Sequence, residues 1–187
     1  MVMRIALILI AAALASGQTR PVVLVELFTS EGCSSCPPAD ALLARLPRVI
    51  SEVEIIPLAE HVDYWNNLGW RDRFSSPLFS ARQQDYGRAF RLEDVFTPQM
   101  VVNGGAQFVG SDYTRAQQEI RKAASEPEAI VGISTNGSQA RLTVAHLPPG
   151  IRTADVFLAI TEDRLETDVA AGENGGRRLR HSGVVRS

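Results

Sequence analysis

Apolar and polar residues fall into blocks along the chain whose period shifts between strand-like and helical. Residues 5–14 are an apolar run behind Met1-Val2-Met3-Arg4, with small residues at Ala13, Ala15 and Gly17. A run this short falls below the roughly 20 residues needed to span a bilayer. Charged start, short apolar middle and small-residue exit describe a secretory signal peptide over residues 1–17, with Ala13-Leu14-Ala15 as the cleavage site. Residues 21–28 are apolar throughout except Glu26, as in a strand buried on both faces. Ala39, Leu42, Leu43 and Leu46 then recur at helical spacing, and Pro47 is expected to end or bend that helix. Val53, Ile55, Ile56 and Leu58 predict a second strand, and Pro57, which cannot donate to a ladder, predicts an edge position for it. A polar-aromatic loop over residues 61–74 follows. Ser76-Pro77 is a helix start, and Phe79, Tyr86 and Phe90 share one face of the helix. Residues 99–102 and 106–109 read as strands joined by the Asn103-Gly104 hairpin turn, and Ser111-Asp112 caps a last helix carrying Ala116, Ile120 and Ala123.

The resulting order is strand, helix, strand, helix, hairpin, helix. With a right-handed crossover between the first two parallel strands, this α/β order fits a thioredoxin-like core over residues 20–125. Past Ser125 the helical pattern stops. Residues 130–135, 141–146, 155–160, 164–169 and 177–185 read as strands separated by turn signals. The C-terminal 128–187 is therefore expected to be a β-rich annex, a partial sandwich resting on the core because about sixty residues make a marginal core alone.

Composition narrows the function. The chain has 187 residues, 45% hydrophobic and 21% charged, which is globular. A formal charge of −2, with arginines scattered and Lys122 the single lysine, excludes the concentrated basic face of a nucleic-acid binder. Two cysteines are too few for a disulfide scaffold, but Cys33 and Cys36 form a Cys-x-x-Cys motif where a strand hands over to a helix. Free N–H groups and the positive dipole end there stabilise a thiolate. Cys33 is thus expected to be the exposed nucleophile and Cys36 the resolving thiol. A static disulfide is the competing reading, although a four-residue loop would add only roughly 2 kcal/mol. Thr97-Pro98 precedes the hairpin strand where thioredoxin-type proteins hold a cis proline; a cis bond would present the Thr97 backbone to an extended thiol substrate. Glu26, in the central strand, is a candidate to take the Cys36 proton, or else a Glu paired with an arginine on the less buried face. His61, Asp63, Tyr64 and Trp65 follow the second strand and are expected to border the cysteines, with Trp70 walling a groove or merely anchoring the loop. Arg71, Asp72 and Arg73 read as a solvated charge cluster, as do Arg177, Arg178, Arg180 and His181.

The stretch from Glu26 to Asp40, with Thr29-Ser30-Glu31-Gly32-Cys33-Ser34-Ser35-Cys36-Pro37-Pro38 at its centre, resembles one family of exported bacterial thioredoxin-like proteins, the domain of unknown function twelve twenty-three. His61-Val62-Asp63-Tyr64-Trp65, Leu68-Gly69-Trp70 and Thr97-Pro98-Gln99-Met100-Val101-Val102 extend the resemblance, and Gly172-Glu173-Asn174 and residues 181–186 resemble the family's late motif. It implies the thioredoxin-like fold and supports Cys33, Cys36 and Pro98 as the site, but implies no substrate. Asn66 and Arg73 depart from the family pattern, which usually has an acidic residue and a proline there. Family chains usually continue past the position of Ser187, which implies that the last strands of the annex are missing here.

These readings converge on a periplasmic or secreted thiol–disulfide oxidoreductase that needs no organic cofactor and no metal. Its partner would be a protein or small-molecule thiol or disulfide; neither nucleic acid nor a stable membrane span after signal removal is expected. The rivals are a binding module with a static disulfide and a copper-handling protein using Cys33, Cys36 and His61.

Overall fold

The computed structural model describes residues 20–187 apart from 128 and 138, so the signal-peptide reading lies outside the described residues. Strand β1 (Val22–Thr29) runs through the middle of the main sheet, parallel to β2 (Glu54–His61) and antiparallel to β3 (Gln99–Val102). Neighbours on both edges and layers on both faces explain its unbroken apolar run. Val23, Val25 and Leu27 pack with Leu42, Leu43 and Leu46 of helix α1 (Pro37–Val49) and with Ala116 and Ile120 of helix α3 (Tyr113–Ala123). The alternate residue Phe28 faces the other way, toward Tyr86 and Phe90 of helix α2 (Pro77–Phe90). The result is a mixed sheet with helices on both faces and β hairpins added after α3, an α/β fold.

Local signals place most of these elements. Ser76 caps α2, its hydroxyl accepting from the Leu78 N–H at 3.2 Å, and Asp112 caps α3 through the Arg115 N–H at 2.9 Å. Residues 103–105 connect β3 to β4 (Ala106–Val109); Asn103 and Gly104 both have positive φ (44° and 65°), as the central residues of a turn closed by the Gly105 N–H on the Val102 carbonyl at 2.9 Å require. Helix α1 continues through Pro47 to Val49 rather than stopping there. A proline so near the C-terminus removes one backbone hydrogen bond, and the Ile50 N–H to Leu46 carbonyl bond at 3.0 Å closes the last turn.

The sheet order is β4-β3-β1-β2-β10-β7, so β2 is not the edge strand that Pro57 suggests. Strand β10 (Val184–Val185) joins it in parallel and β7 (Thr161–Glu162) lies outside β10. Pro57 escapes the ladder because β10 meets β2 only at Ala59, whose N–H reaches the Gly183 carbonyl at 2.7 Å. Gly183, with φ 65°, has to be glycine: a Cβ there would lie 2.4 Å from the Pro57 carbonyl oxygen. The hairpin β5 (Ile130–Asn136) and β6 (Gln139–His146) forms a separate two-stranded sheet, and residues 151–160 contain no strand where 155–160 were expected to form one. A second hairpin, β8 (Leu165–Asp168) with β9 (Arg178–His181), packs along α1. Among the described residues no helix is long and apolar enough to cross a membrane.

Candidate disulfide site

Strand β1 ends at Thr29, and residues 30–36 turn the chain into α1. The turn is held by the Gly32 N–H on Ser30 Oγ (3.1 Å), the Cys33 N–H on the Ser30 carbonyl (3.2 Å) and the Cys36 N–H on the Cys33 carbonyl (3.2 Å). Cys36 is the N-cap of α1, and Pro37-Pro38 suit a first turn whose N–H groups need no helical acceptor. Cys33 and Cys36 are joined by a disulfide with Cα atoms 5.4 Å apart. Both residues are 0% exposed, while Ser34 and Ser35 between them face solvent. The expectation of an exposed Cys33 is therefore corrected: the late segment 172–177, described below, folds over the motif.

The Thr97–Pro98 bond is cis. Pro98 sits beside the first turn of α1, because a Cβ placed on Gly110 would lie 3.2 Å from Ala39 Cβ and 3.3 Å from Pro98 Cβ. Trp65 links this proline to the cysteines. Its indole N–H donates to Thr97 Oγ1 at 2.8 Å, and its Cβ would lie 3.2 Å from a Cβ on Gly32, so any larger residue at 32 would crowd Trp65. Trp70 donates from Nε1 to Glu31 Oε2 at 2.8 Å. The structure thus gathers Thr97, Pro98, Trp65 and Trp70 around the Cys loop. Asp63 and Tyr64 turn instead toward α2, Asp63 Oδ1 accepting from Ser80 Oγ and Tyr64 Oη donating to Gln83 Oε1 at 3.1 Å.

Glu26 is not brought to the cysteines. In β1 it has the parity of Phe28, so it projects to the α2 face, where it is fully buried and accepts from Arg82 Nε and Tyr86 Oη, each at 2.6 Å. Its neighbour Glu60 shares Arg82 at 3.4 Å. Burial, and then the Glu26 charge, push the Glu60 carboxyl up to about 8, and burial with the same Glu26 charge raises the Tyr86 phenol.

Beneath the disulfide lies a different polar cluster. His61 ends β2 with its ring fully buried, and its Nδ1 is 2.6 Å from Asp72 Oδ2. Asp72 also accepts from the Glu31 and Phe74 N–H groups, each at 2.8 Å, which ties the aromatic loop to the Cys loop. Far from being a solvated charge, Asp72 is 2% exposed, and so is His181. The His181 ring meets those of His61 and Phe74 edge-on, at 4.9 Å and 5.6 Å, with Nε2 3.4 Å from Glu31 Oε1 and Nδ1 3.9 Å from Asp40 Oδ2. Asp40 lies one turn beyond Cys36 on α1 and accepts from Thr29 Oγ1 at 2.8 Å. Among the described residues, His61 Nε2, both nitrogens of His181 and Glu31 Oε1 have no hydrogen-bond partner.

Burial alone would lower the His61 pKa, but the charge and hydrogen bond of Asp72, with Asp40 and Glu31 beyond, raise it above its ordinary value. Burial would raise Asp72; the His61 charge and the two backbone N–H groups hold it low instead. For Asp40 burial prevails over His181, His61 and Thr29, and its carboxyl is pushed up. Glu31 stays below the ordinary carboxylate range because contacts with His181 and Trp70 outweigh burial and the Asp72 charge. Among the described residues no group of three or more His, Cys, Asp or Glu side chains is arranged to hold a metal ion. Glu31, Asp72 and His181 stand in polar stretches that a linear pattern places at the surface, whereas Asp40, between Ala39 and Ala41, carries the signal of position, following Cys36 at helical spacing.

The fold and site define an α/β protein with a Cys-x-x-Cys disulfide at the start of a helix, a cis proline beside it and a buried charge cluster below. Residues 24–187 match the model of the family described as protein of unknown function (DUF1223), and the chain belongs to that family. A crystal structure of a protein from Agrobacterium tumefaciens is similar, with 32% identity and a TM-score of 0.70 over 88% of this chain and 70% of that one. No curated protein matches the sequence.

Proposed function

We propose that the protein is an exported thiol–disulfide oxidoreductase of thioredoxin-like architecture in which Cys33 and Cys36 cycle between disulfide and dithiol. The observation that carries this reading is the meeting of the Cys33–Cys36 disulfide, the start of α1 and the cis Thr97–Pro98 bond, joined by Trp65. In the reducing direction the Cys33 thiolate attacks a substrate disulfide, forming a mixed disulfide and releasing one substrate thiolate. Cys36 then gives up its proton and attacks the Cys33 sulfur, which releases the second substrate thiol and closes Cys33–Cys36. Two electrons pass to the substrate; the oxidising direction is the reverse. Asp40 is the acceptor for the Cys36 proton, since it follows Cys36 by one helical turn and burial pushes its carboxyl above the ordinary carboxylate range, which makes it a stronger base. The substrate is a protein or small molecule bearing a thiol or disulfide, and the leader-like residues 1–17 support export to a bacterial periplasm or beyond.

The complete burial of both cysteines favours a second reading, a binding module stapled by a static disulfide. Equilibration with glutathione redox buffers separates the two. The oxidoreductase has a potential within reach of glutathione and loses exchange in Cys33→Ser; a potential below about −300 mV assigns the static staple.

A further inference from the structure

The disulfide is covered by a segment that arrives some 140 residues later in the chain. The loop between β8 and β9 lays Glu173 and Asn174 across the Cys motif. Glu173 Oε2 accepts from the Ser34 N–H at 2.9 Å, and Asn174 Nδ2 donates to the Glu31 and Cys33 carbonyls, each at 2.9 Å. Arg177 Nη1 donates to Asn174 Oδ1 at 2.8 Å and so fixes which end of the amide faces the motif. The backbones touch behind it: a Cβ on Gly69 would lie 3.2 Å from Gly172 Cα, and one on Gly172 would lie 3.0 Å from Trp70 Cβ.

Exchange requires a sulfur that an incoming thiolate can approach, and neither sulfur is exposed in this arrangement. The cover is built to come away. Of residues 170–176 only Asn174 is buried, so lifting them breaks the side-chain hydrogen bonds to the motif, the Gly176 N–H bond to the Val169 carbonyl at 2.7 Å and the Gly172 contact with Gly69, without opening apolar core. Gly172 and Gly176, with φ of 71° and 79°, lie on either side of Glu173 and Asn174 and supply pivots around the latch. Hydrogen bonds to Ser34 keep Glu173 below the ordinary carboxylate range and therefore charged. Reduction would place a thiolate on Cys33, next to the Ser34 amide that this carboxylate occupies, and like charges repel.

We propose that residues 170–176 are a lid that closes over the oxidised Cys33–Cys36 pair, latched by Asn174 and Glu173, and that it must lift before either sulfur exchanges. The closed lid protects the disulfide, and the charge of a Cys33 thiolate favours the open one. The lid regulates the redox site proposed above and rests on that reading for its purpose, while its existence is tested with a small reductant.

The experiment is the rate of reduction of the full chain by dithiothreitol, followed by Trp65 and Trp70 fluorescence and by alkylation and mass, for the wild type, Asn174→Ala and Glu173→Gln. In the wild type, reduction is slower than in the urea-unfolded chain. Asn174→Ala loses two hydrogen bonds to the motif and is reduced roughly tenfold faster or more, and Glu173→Gln is faster by a smaller factor. Should Asn174→Ala fail to fold, the exposed Glu173→Gln still reports. Folded variants reduced at the wild-type rate, or a wild-type disulfide reduced as fast as in the unfolded chain, overturn the lid. Variants that react faster with dithiothreitol while no form exchanges with glutathione leave the lid standing and remove the oxidoreductase. Wild-type exchange with glutathione that neither variant alters does the opposite.

Discussion

Replacing Asp72 by Asn tests whether the buried charges under the disulfide are coupled as their geometry indicates. Asp72 receives three partners, His61 Nδ1 at 2.6 Å and the Glu31 and Phe74 N–H groups at 2.8 Å. An amide of the same shape has one acceptor oxygen, so in Asp72→Asn at least one N–H faces another donor, and a charged His61 has lost its counter-ion. Breaking a buried pair from one side costs about 3–5 kcal/mol, against a total stability of about 5–15 kcal/mol for a typical domain. The cost depends on pH. The His61 pKa is raised from 6.5, so its contribution is full below 6.5 and fades as pH rises through the folded value. The Asp72 pKa is lowered from 3.8, so its contribution holds above 3.8 and fades as pH falls through the folded value. The pair is therefore strongest between those limits. Urea unfolding of the oxidised protein should show the full gap between wild type and Asp72→Asn near about pH 5.5, narrowing once pH rises past 6.5 and through the folded His61 value, toward the roughly 1–3 kcal/mol of the unmade hydrogen bonds. A gap that widens as pH rises above 6.5 would refute an ion pair at this position.

Two further outcomes follow from the packing. Glu60 carries a pKa raised to about 8, so the folded state holds a proton that the unfolded chain releases near 4.5, and stability falls as pH rises between those values. Glu60→Gln should flatten that fall and raise the urea midpoint above pH 8; an unchanged pH profile would show that Glu60 is ionised in the fold. A Cβ on Gly110 would sit 2.6 Å from Leu27 Cδ1 and 3.3 Å from Pro98 Cβ, so Gly110→Ala should cost about 1–3 kcal/mol and alter the rate of disulfide reduction by displacing Pro98. Thermal unfolding combined with the dithiothreitol assay checks both effects, and wild-type values in each would mean that the space beside Pro98 is looser than these distances state.

Under the proposed redox cycle, the proposed lid and the charge cluster would act on one chemical problem from two sides, supplying a proton acceptor near Cys36 and protection from unselected thiols. Asp40 stands one turn from Cys36, and Asn174 stands over Cys33. Their supports meet at Glu31, whose carbonyl accepts from Asn174 while its carboxylate accepts from Trp70 and faces His181. Lifting the proposed lid would therefore disturb Glu31, which carries part of the buried charge.

Elements set by neighbouring residues were legible in the sequence. The apolar run of β1, the Ser76-Pro77 start of α2, the Asn103-Gly104 turn, the Asp112 cap and the placing of Cys33 and Cys36 at a strand–helix junction all stand where the pattern put them. Backbone preferences and side-chain periodicity act over a few residues, so a linear reading captures them. Tertiary structure decided the rest. Residue alternation in β1 separates Glu26 from Leu27, but only the packing of α1 on the Leu27 side denies Glu26 to the cysteines. Strands β7 and β10 have two residues each, too short to carry a period, yet they turn β2 from an edge into an interior strand. Asp72 and His181 stand among arginines and read as solvated until β2, α1 and the β8–β9 hairpin close around them. Cys33 is fully buried, and its carbonyl is bonded by Asn174, 141 residues away. Local chemistry chose where the sulfurs sit; the returning chain decided what surrounds them, because burial and charge pairing are properties of contacts that no short stretch of sequence contains.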